Sequence, residues 1–217
     1  MNYKILVSEL WQENTVVLYD ETGDAAIVDC GCLGQKEEKR LQDLLKVQGL
    51  NPVVLLNTHL HPDHIFGNYF MKEVYELSTQ AAMEDEFLIE NAVDFAAMLG
   101  IRGMNPPPPI GNYLKDGDLV QFGNSQLRVI AVQGHSPGGL CFYSEADQLL
   151  VAGDVLFAGS IGRSDLPGGN GRVLVEDICQ KLMILPEEVK VIPGHGPETT
   201  IGYEKRYNPF LGEFINV

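Results

Sequence analysis

Short apolar runs rich in β-branched residues recur along the chain, and each run ends at a turn residue or a polar residue. They lie in the segments TVVLYD, AAIVD, PVVLLNTH, LRVIAVQGH, QLLVAGD and VKVIPGH. Runs of this length and composition are typical of strands that are buried in a protein core. The pattern therefore predicts sheets whose strands are covered on both faces.

Two segments between these runs carry apolar residues at helical spacing. In QKEEKRLQDLLKVQGL the apolar stripe is Leu41, Leu44 and Leu45, and in VLVEDICQKLMIL it is Leu174, Ile178 and Leu182. Such a stripe is typical of a helix with one face against a core. Strands that alternate with helices predict an α/β protein in which helices cover the sheets.

The segment from 84 to 110 interrupts this alternation. It reads EDEFLIENAVDFAAMLGIRGMNPPPPI, which predicts an amphipathic helix followed by a non-helical stretch of four prolines. Phe87, Phe95 and Met98 could cap a pocket or contact a partner subunit, but their helical spacing favours plain core. We interpret the segment as a connection between two halves of one domain that spans residues 1–217.

Composition narrows the classes of partner. Thirty acidic and fifteen basic residues give a formal net charge of -15, which repels the phosphates of nucleic acids. There is no signal-peptide pattern and no run of about 20 apolar residues, so we expect a cytoplasmic protein, monomeric or homodimeric, with no membrane partner. The four cysteines are too scattered for a disulfide scaffold, and Cys30-Gly31-Cys32 is interpreted as a turn of small residues.

The five histidines are the main chemical signal. Each histidine either directly follows a predicted strand or lies in the loop NTHLHPDH. Two aspartates occupy the same kinds of position. These candidate ligands are His59, His61, Asp63, His64, His135, Asp154 and His195. Ligands collect at the carboxyl ends of strands in sheets flanked by helices, and Asp29, which ends AAIVD, belongs to the same edge.

The spacing within the loop favours two metal ions. His59 and His61 stand at alternate positions of an extended segment and therefore point the same way, whereas Asp63 and His64 follow the bend that Pro62 favours. One ion would be held by His59, His61 and His135 and the other by Asp63, His64 and His195, with Asp154 bridging both. Imidazole and carboxylate ligands without thiolates suit zinc, iron or manganese, and we expect two Zn²⁺ ions.

Such a site predicts hydrolysis. A hydroxide that bridges two ions is nucleophilic at neutral pH, because metal ions lower the pKa of bound water from about 15.7 to near 7. We expect it to attack an activated carbonyl, with Asp63 as a catalytic residue that accepts a hydrogen bond from it. No serine or cysteine nucleophile is required.

The order of the motifs THLHPDH, GHSPGG, AGD and PGH resembles the metallo-β-lactamase superfamily over essentially the whole chain. This resemblance implies an αββα sandwich made of two βαβ-containing halves, with the metals at one edge of the packed sheets. It also implies the same seven metal ligands.

Within that superfamily, GDVLFAGSIGRSDLPGGN and the tail PGHGPETTIGYEKRYNPFL resemble the short glyoxalase II-like hydrolases. The resemblance implies hydrolysis of a small-molecule thioester such as S-lactoylglutathione to a hydroxy acid and a thiol. Arg163 would bind a substrate carboxylate or pair with Asp165. Tyr203 is a further candidate for substrate binding.

Other activities remain open at this point. Persulfide dioxygenases resemble these hydrolases closely and would use one iron held by His59, His135 and Asp154. Lactonases share the dinuclear cluster. A catalytically silent binding protein of this fold is expected to lose ligands, whereas this chain retains all seven.

Overall fold

The computed structural model describes residues 1–212, which form two six-stranded sheets and one short hairpin. The last five residues of the predicted domain, 213–217, lie outside the described residues. The first sheet has the strand order β1 (Asn2–Val7), β2 (Asn14–Tyr19), β3 (Asp24–Val28), β4 (Asn51–Leu56), β5 (Thr79–Ala81) and β6 (Ile110–Tyr113). Strands β3 to β6 are parallel, with Ala26 opposite Val54, and β1 to β3 are antiparallel.

The second sheet comes from the second half of the chain. Its strands are β7 (Leu119–Phe122), β8 (Ser125–Ala131), β9 (Leu140–Ser144), β10 (Leu149–Gly153), β13 (Lys190–Pro193) and β14 (Thr199–Thr200), and β11 (Leu156–Phe157) and β12 (Ser160–Ile161) form the hairpin. The spatial order is β14-β13-β10-β9-β8-β7. β10 and β13 are parallel, with Leu150 opposite Val191, and the other neighbours are antiparallel.

Helices cover the outer face of each sheet. They are α1 (Gln35–Gln48), α2 (Pro62–Ile65), α3 (Asn68–Tyr75), α4 (Glu86–Glu90), α5 (Ala92–Met98), α6 (Gly171–Asp177) and α7 (Ile201–Tyr207), with a 3₁₀ turn at Met83–Asp85 and a π-helical turn at Ile178–Leu182. α1 ends at Gly49, whose left-handed backbone (φ 66°) lets its N–H reach the last carbonyls of the helix. Among residues 1–212, no helix is long and apolar enough to cross a membrane.

Three apolar layers hold the sandwich together. The inner faces of the two sheets meet at residues such as Leu18, Leu56 and Phe142. On the outer side of the first sheet, Leu41 and Leu45 of α1 pack against β2, β3 and β4. The Leu174–Ile178–Leu182 stripe packs on the outer face of the second sheet. The predicted αββα sandwich is confirmed, as are all the predicted strands and both helical stripes.

The segment 84–110 departs from the prediction. It forms two short helices, α4 and α5, instead of one, and residues 101–109 with the four prolines contain neither helix nor strand. α5 buries Ala92 and Ala96, so the larger side chains lie on its other faces. Phe87 is 40% exposed and Met98 is 83% exposed, and the interpretation of these two residues as plain core is wrong.

Candidate metal centre

The ends of four strands bring the candidate ligands to one edge of the sandwich. β4 ends at Leu56, β8 at Ala131, β10 at Gly153 and β13 at Pro193, and a candidate ligand follows each within a few residues. The parallel pairs β3–β4 and β10–β13 place their carboxyl ends at this same edge. Both halves of the chain therefore contribute to one site.

The histidine loop turns sharply at Pro62. His61 has an extended backbone and precedes α2, and Pro62 occupies the first helical position, where its missing N–H costs no hydrogen bond. This turn places Asp63 and His64 in α2, with the ring centroids of His64 and His59 4.1 Å apart. The amide of Asn57 donates to the His64 carbonyl over 2.8 Å and holds the turn in place.

Three imidazoles meet in the first cluster. His61 Nδ1 lies 2.9 Å from His135 Nε2, and His135 Nε2 lies 3.2 Å from His59 Nε2. All three side chains are buried, with no more than 5% of the residue exposed. Nitrogen atoms this close together can all bind one cation that lies between them.

The second cluster contains Asp63, His64 and His195. Asp63 Oδ2 lies 3.2 Å from His195 Nε2 and 3.8 Å from His64 Nε2. Asp154 lies between the two clusters: its Oδ1 is 3.4 Å from His64 Nε2, and its Oδ2 is 3.7 Å from His135 Nε2 and 3.6 Å from His195 Nε2. This position matches the bridging role that the sequence predicts for Asp154.

Two glycines make room for these side chains. Gly153 has a left-handed backbone (φ 51°), and a Cβ there would lie 2.2 Å from Thr58 Oγ1. A Cβ on Gly194 would lie 2.2 Å from Asp154 Oδ1 and 2.7 Å from the His64 ring. Larger residues at either position would therefore displace Asp154 or the loop that begins at Thr58.

Four of the five imidazoles use Nδ1 for a partner outside the cluster. Asp29 accepts from His64, the carbonyl of Arg163 from His135, and the carbonyl of Trp11 from His195, over 3.0, 2.8 and 2.9 Å. His59 Nδ1 lies 3.1 Å from the Thr58 hydroxyl. Outer hydrogen bonds of this kind fix the tautomer that leaves Nε2 free to bind a metal.

The residues present fit a pair of cations. His61 Nε2, His64 Nε2 and Asp154 Oδ1 are buried and have no hydrogen-bond partner in the described part of the chain. Buried polar atoms are rarely left unpaired, and His64 Nε2 and Asp154 Oδ1, which lie 3.4 Å apart, call for a ligand between them. In each of three overlapping groups the donor atoms lie within 4.8 Å of one another: His59, His61 and His135; His59, His64 and Asp154; Asp63, His64 and His195.

Burial and charge set the protonation of the two clusters. Burial lowers the pKa of His59 far below its usual value and that of His61 to about 3, so both imidazoles are neutral at pH 7. Burial acts in the same direction on His64, but the neighbouring carboxylates, first that of Asp154, outweigh it and raise its pKa. The first cluster therefore needs no proton release to bind a cation.

Asp85 links two loops that carry candidate metal ligands. Its buried carboxylate accepts hydrogen bonds from the N–H of Leu60, between two ligands of the histidine loop, over 3.2 Å and from the N–H of Gly138 over 2.6 Å. Gly138 belongs to the loop that carries His135. Sequence reasoning missed Asp85, Thr58 and the carbonyl of Trp11.

The clusters form the floor of a cleft of about 410 Å³. The cleft is lined by Trp11, His61, Pro62, Asp63, Phe95, Leu99, His135, Asp154, Arg163, Leu166 and His195. Arg163 lies on this wall, with its guanidinium bound to both oxygens of Asp165 over 2.8 Å. Tyr203 is 51% exposed and lines a separate groove with Lys190 and Thr200.

Two facing sheets that present imidazoles and carboxylates at one shared edge, below an open cleft, are the arrangement of a metallohydrolase. Residues 9–195 match the family described as Metallo-beta-lactamase superfamily, and the chain belongs to that superfamily.

Relatives of nearly equal length support this membership. The hydroxyacylglutathione hydrolase GloC of Haemophilus influenzae is 33% identical over 212 residues, which are 97% of this chain and 98% of GloC. The crystal structure of the BLEG-1 B3 metallo-beta-lactamase has a TM-score of 0.89 and 33% identity, and covers 97% of this chain and 99% of that one. That of TTHA1623 in a di-iron-bound form has a TM-score of 0.85 and 35% identity, and covers 96% and 100%.

Proposed function

We propose that the protein hydrolyses a small-molecule thioester with two metal ions, as the glyoxalase II-like enzymes of the superfamily do. The observation that carries the proposal is the convergence of five imidazoles and two carboxylates, in two clusters joined by Asp154, on the floor of an open cleft. The resemblance of the loop 153–170 and the sequence relation to GloC support a thioester as the substrate.

The chain offers each ion its own ligands. His59, His61 and His135 would hold one ion, the second cluster would hold the other, and Asp154 would contact both. When bound, the ions would supply an acidified water as the nucleophile and polarise the thioester carbonyl. Zinc, iron and manganese all suit these ligands, and the di-iron form of TTHA1623 supports testing iron beside zinc.

Asp63 would position the attacking water. Its carboxylate is 13% exposed, faces the cleft and lies 3.2 Å from His195 Nε2. Burial raises its pKa, but the neighbouring imidazoles, first that of His64, lower it below its usual value, so it accepts hydrogen bonds at neutral pH. The water oxygen adds to the carbonyl carbon, the carbon–sulfur bond breaks, and the products are a carboxylic acid and a thiol.

Elemental analysis and a paired assay test the proposal. Purified protein is expected to contain two metal ions per chain and to hydrolyse S-lactoylglutathione, a reference substrate, with release of one thiol per turnover. Treatment with a chelator is expected to abolish the activity, and added Zn²⁺, Fe²⁺ or Mn²⁺ to restore it. An acyl-homoserine lactone in the same panel tests the lactonase alternative. One iron per chain, with oxygen uptake on glutathione persulfide and no thioester hydrolysis, would identify a persulfide dioxygenase instead.

Arg163→Ala tests the predicted contact with a substrate carboxylate. The ion pair of Arg163 with Asp165 is exposed, and exposed pairs contribute little, so the guanidinium is free to turn toward a substrate. We expect the KM for S-lactoylglutathione to rise about threefold to fivefold with kcat nearly unchanged, in steady-state assays. Arg172→Ala is the matched control, since Arg172 forms a similar exposed pair with Glu176 away from the cleft. Equal KM values in both variants would show that Arg163 pairs with Asp165 and does not bind the substrate.

A further inference from the structure

A second cavity opens beside the metal centre. It has a volume of about 250 Å³ and lies between Pro62 of α2, the side chains of Phe87, Leu88 and Phe95, and Pro167. Pro62 and Phe95 also line the cleft over the metal ligands, as does His61. The cavity therefore adjoins the cleft, within reach of a substrate whose reacting carbonyl lies at the metal centre.

The walls of the cavity are apolar. Among residues 1–212, no acidic side chain, lysine or arginine lines it, and the amide of Asn91 donates within its own segment to the carbonyl of Phe87 over 3.1 Å. Phe87 of α4 and Phe95 of α5 lie outside the apolar core that α5 joins through Ala92 and Ala96. A group that binds here gains from leaving water, and His61, which also lines the metal cleft, is the one titratable residue among the described residues of the lining.

We propose that this cavity, which we call the acyl pocket, binds the acyl group of the substrate, and that this acyl group is an unbranched or aromatic apolar chain of about four to six carbons. The proposal rests on the proposed thioesterase function. It assigns a role to the segment 84–110, which sequence reasoning left without one.

The volume of the acyl pocket decides which part of a thioester can bind in it. An apolar protein cavity of about 150 Å³ holds a molecule of benzene. An open saturated chain of some six carbons carries more hydrogens than benzene and needs more room, and about 250 Å³ accepts it. A carrier thiol of peptide or nucleotide size is larger than this cavity and polar. It therefore lies in the wider cleft of about 410 Å³, which opens to solvent.

The charges at the cleft favour an apolar acyl group, and not a carboxylate, as the main source of affinity for the substrate. Arg163 is the sole lysine or arginine among the described residues that line the cleft, and Asp165 binds its guanidinium through both carboxylate oxygens. The whole chain carries a formal net charge of -15. A substrate carboxylate therefore gains no more than the few-fold contribution expected from Arg163, whereas each methylene that leaves water contributes independently of charge.

A series of thioesters that share one thiol tests the acyl pocket. With S-acetyl, S-butanoyl, S-hexanoyl and S-decanoyl N-acetylcysteamine and the metal-loaded protein, we expect kcat/KM to rise at least about tenfold from acetyl to hexanoyl. The decanoyl compound is expected to gain nothing further, because its chain exceeds the cavity. A flat series would overturn the proposal.

Phe87→Ala removes one wall of the acyl pocket at a partly exposed position, where the change is compatible with folding. We expect the hexanoyl-to-acetyl ratio of kcat/KM to fall about fivefold or more. Phe210→Ala is the matched control, because Phe210 is also a half-exposed phenylalanine but lines neither cavity. An equal fall in both variants, or an unchanged ratio in Phe87→Ala, would refute the acyl pocket.

Binding without turnover separates the two proposals. Saturation-transfer NMR on the chelator-treated protein is expected to show contact with hexanamide and none with acetamide, and a clear loss of the hexanamide signal in Phe87→Ala. Hexanamide binding with no hydrolysis of any thioester would refute the proposed reaction and support the pocket. Thioester hydrolysis without hexanamide binding would refute the pocket and leave the reaction standing.

Discussion

Asp154→Asn is expected to reduce the metal content to one ion per chain or fewer. It is also expected to slow thioester hydrolysis by about 10³-fold. The two oxygens of Asp154 have different neighbours: Oδ1 faces His64 of the second cluster, and Oδ2 lies between His135 of the first cluster and His195 of the second. An asparagine of the same shape keeps one oxygen and has an NH₂ group, which is no ligand, in place of the other, so at least one ion loses its contact with this residue. Elemental analysis and a thiol-release assay measure the two effects.

The charge of Asp154 adds to this effect. Burial raises the pKa of its carboxyl, but the surrounding imidazoles, first that of His64, hold it well below its usual value, so the group is ionised at every working pH. Asp165→Asn makes the same chemical change on the exposed loop that follows and is expected to keep full metal content. Two ions per chain and wild-type turnover in Asp154→Asn would contradict the proposed mechanism.

Much of this site follows from local sequence. Each strand run is apolar and ends at a turn, so the position of His135 or His195 at a strand end is visible without a structure. The turn at Pro62 is equally local, because proline sets its own backbone angle and favours the first turn of a helix. The seven candidate ligands are therefore predictable as a set, and the structure brings their side chains together.

The hydrogen bonds that hold the candidate ligands in place were not predictable in the same way. His195 donates to the carbonyl of Trp11, a group that every residue carries, and the partners are 184 positions apart in the chain. Asp85 lies in an acidic stretch that also reads as the exposed start of a helix, and its bonds to Leu60 and Gly138 depend on how the two halves pack. Phe87 and Met98 show the same limit, since helical spacing alone does not tell which face meets the core.

Among these supporting residues, Asp29 is expected to have the largest effect on metal affinity. Its Oδ1 accepts from the N–H of Thr58 over 2.7 Å, and its Oδ2 accepts from the Thr58 hydroxyl over 2.6 Å and from His64 Nδ1 over 3.0 Å. In Asp29→Asn the NH₂ group replaces Oδ2 and opposes both donors. The imidazole of His64 then loses this bond or moves its proton to Nε2, the atom that faces the second cluster.

We expect Asp29→Asn to weaken metal binding about 10-fold to 100-fold in a chelator competition and to lower the melting temperature, because buried donors lose their acceptor. The backbone is not disturbed, since asparagine tolerates the left-handed conformation of Asp29 (φ 53°) as well as aspartate does.

Asp20→Asn separates loss of stability from loss of metal binding. Asp20 is also a buried carboxylate with several donors, among them the N–H of Asn124 and the hydroxyl of Ser125, but it follows β2 at the opposite edge of the sheet. We expect this variant to melt earlier with unchanged metal affinity. Equal metal affinity in both variants would show that His64 binds without help from Asp29, whereas a loss confined to Asp29→Asn ties the affinity to the proton that Asp29 holds on Nδ1.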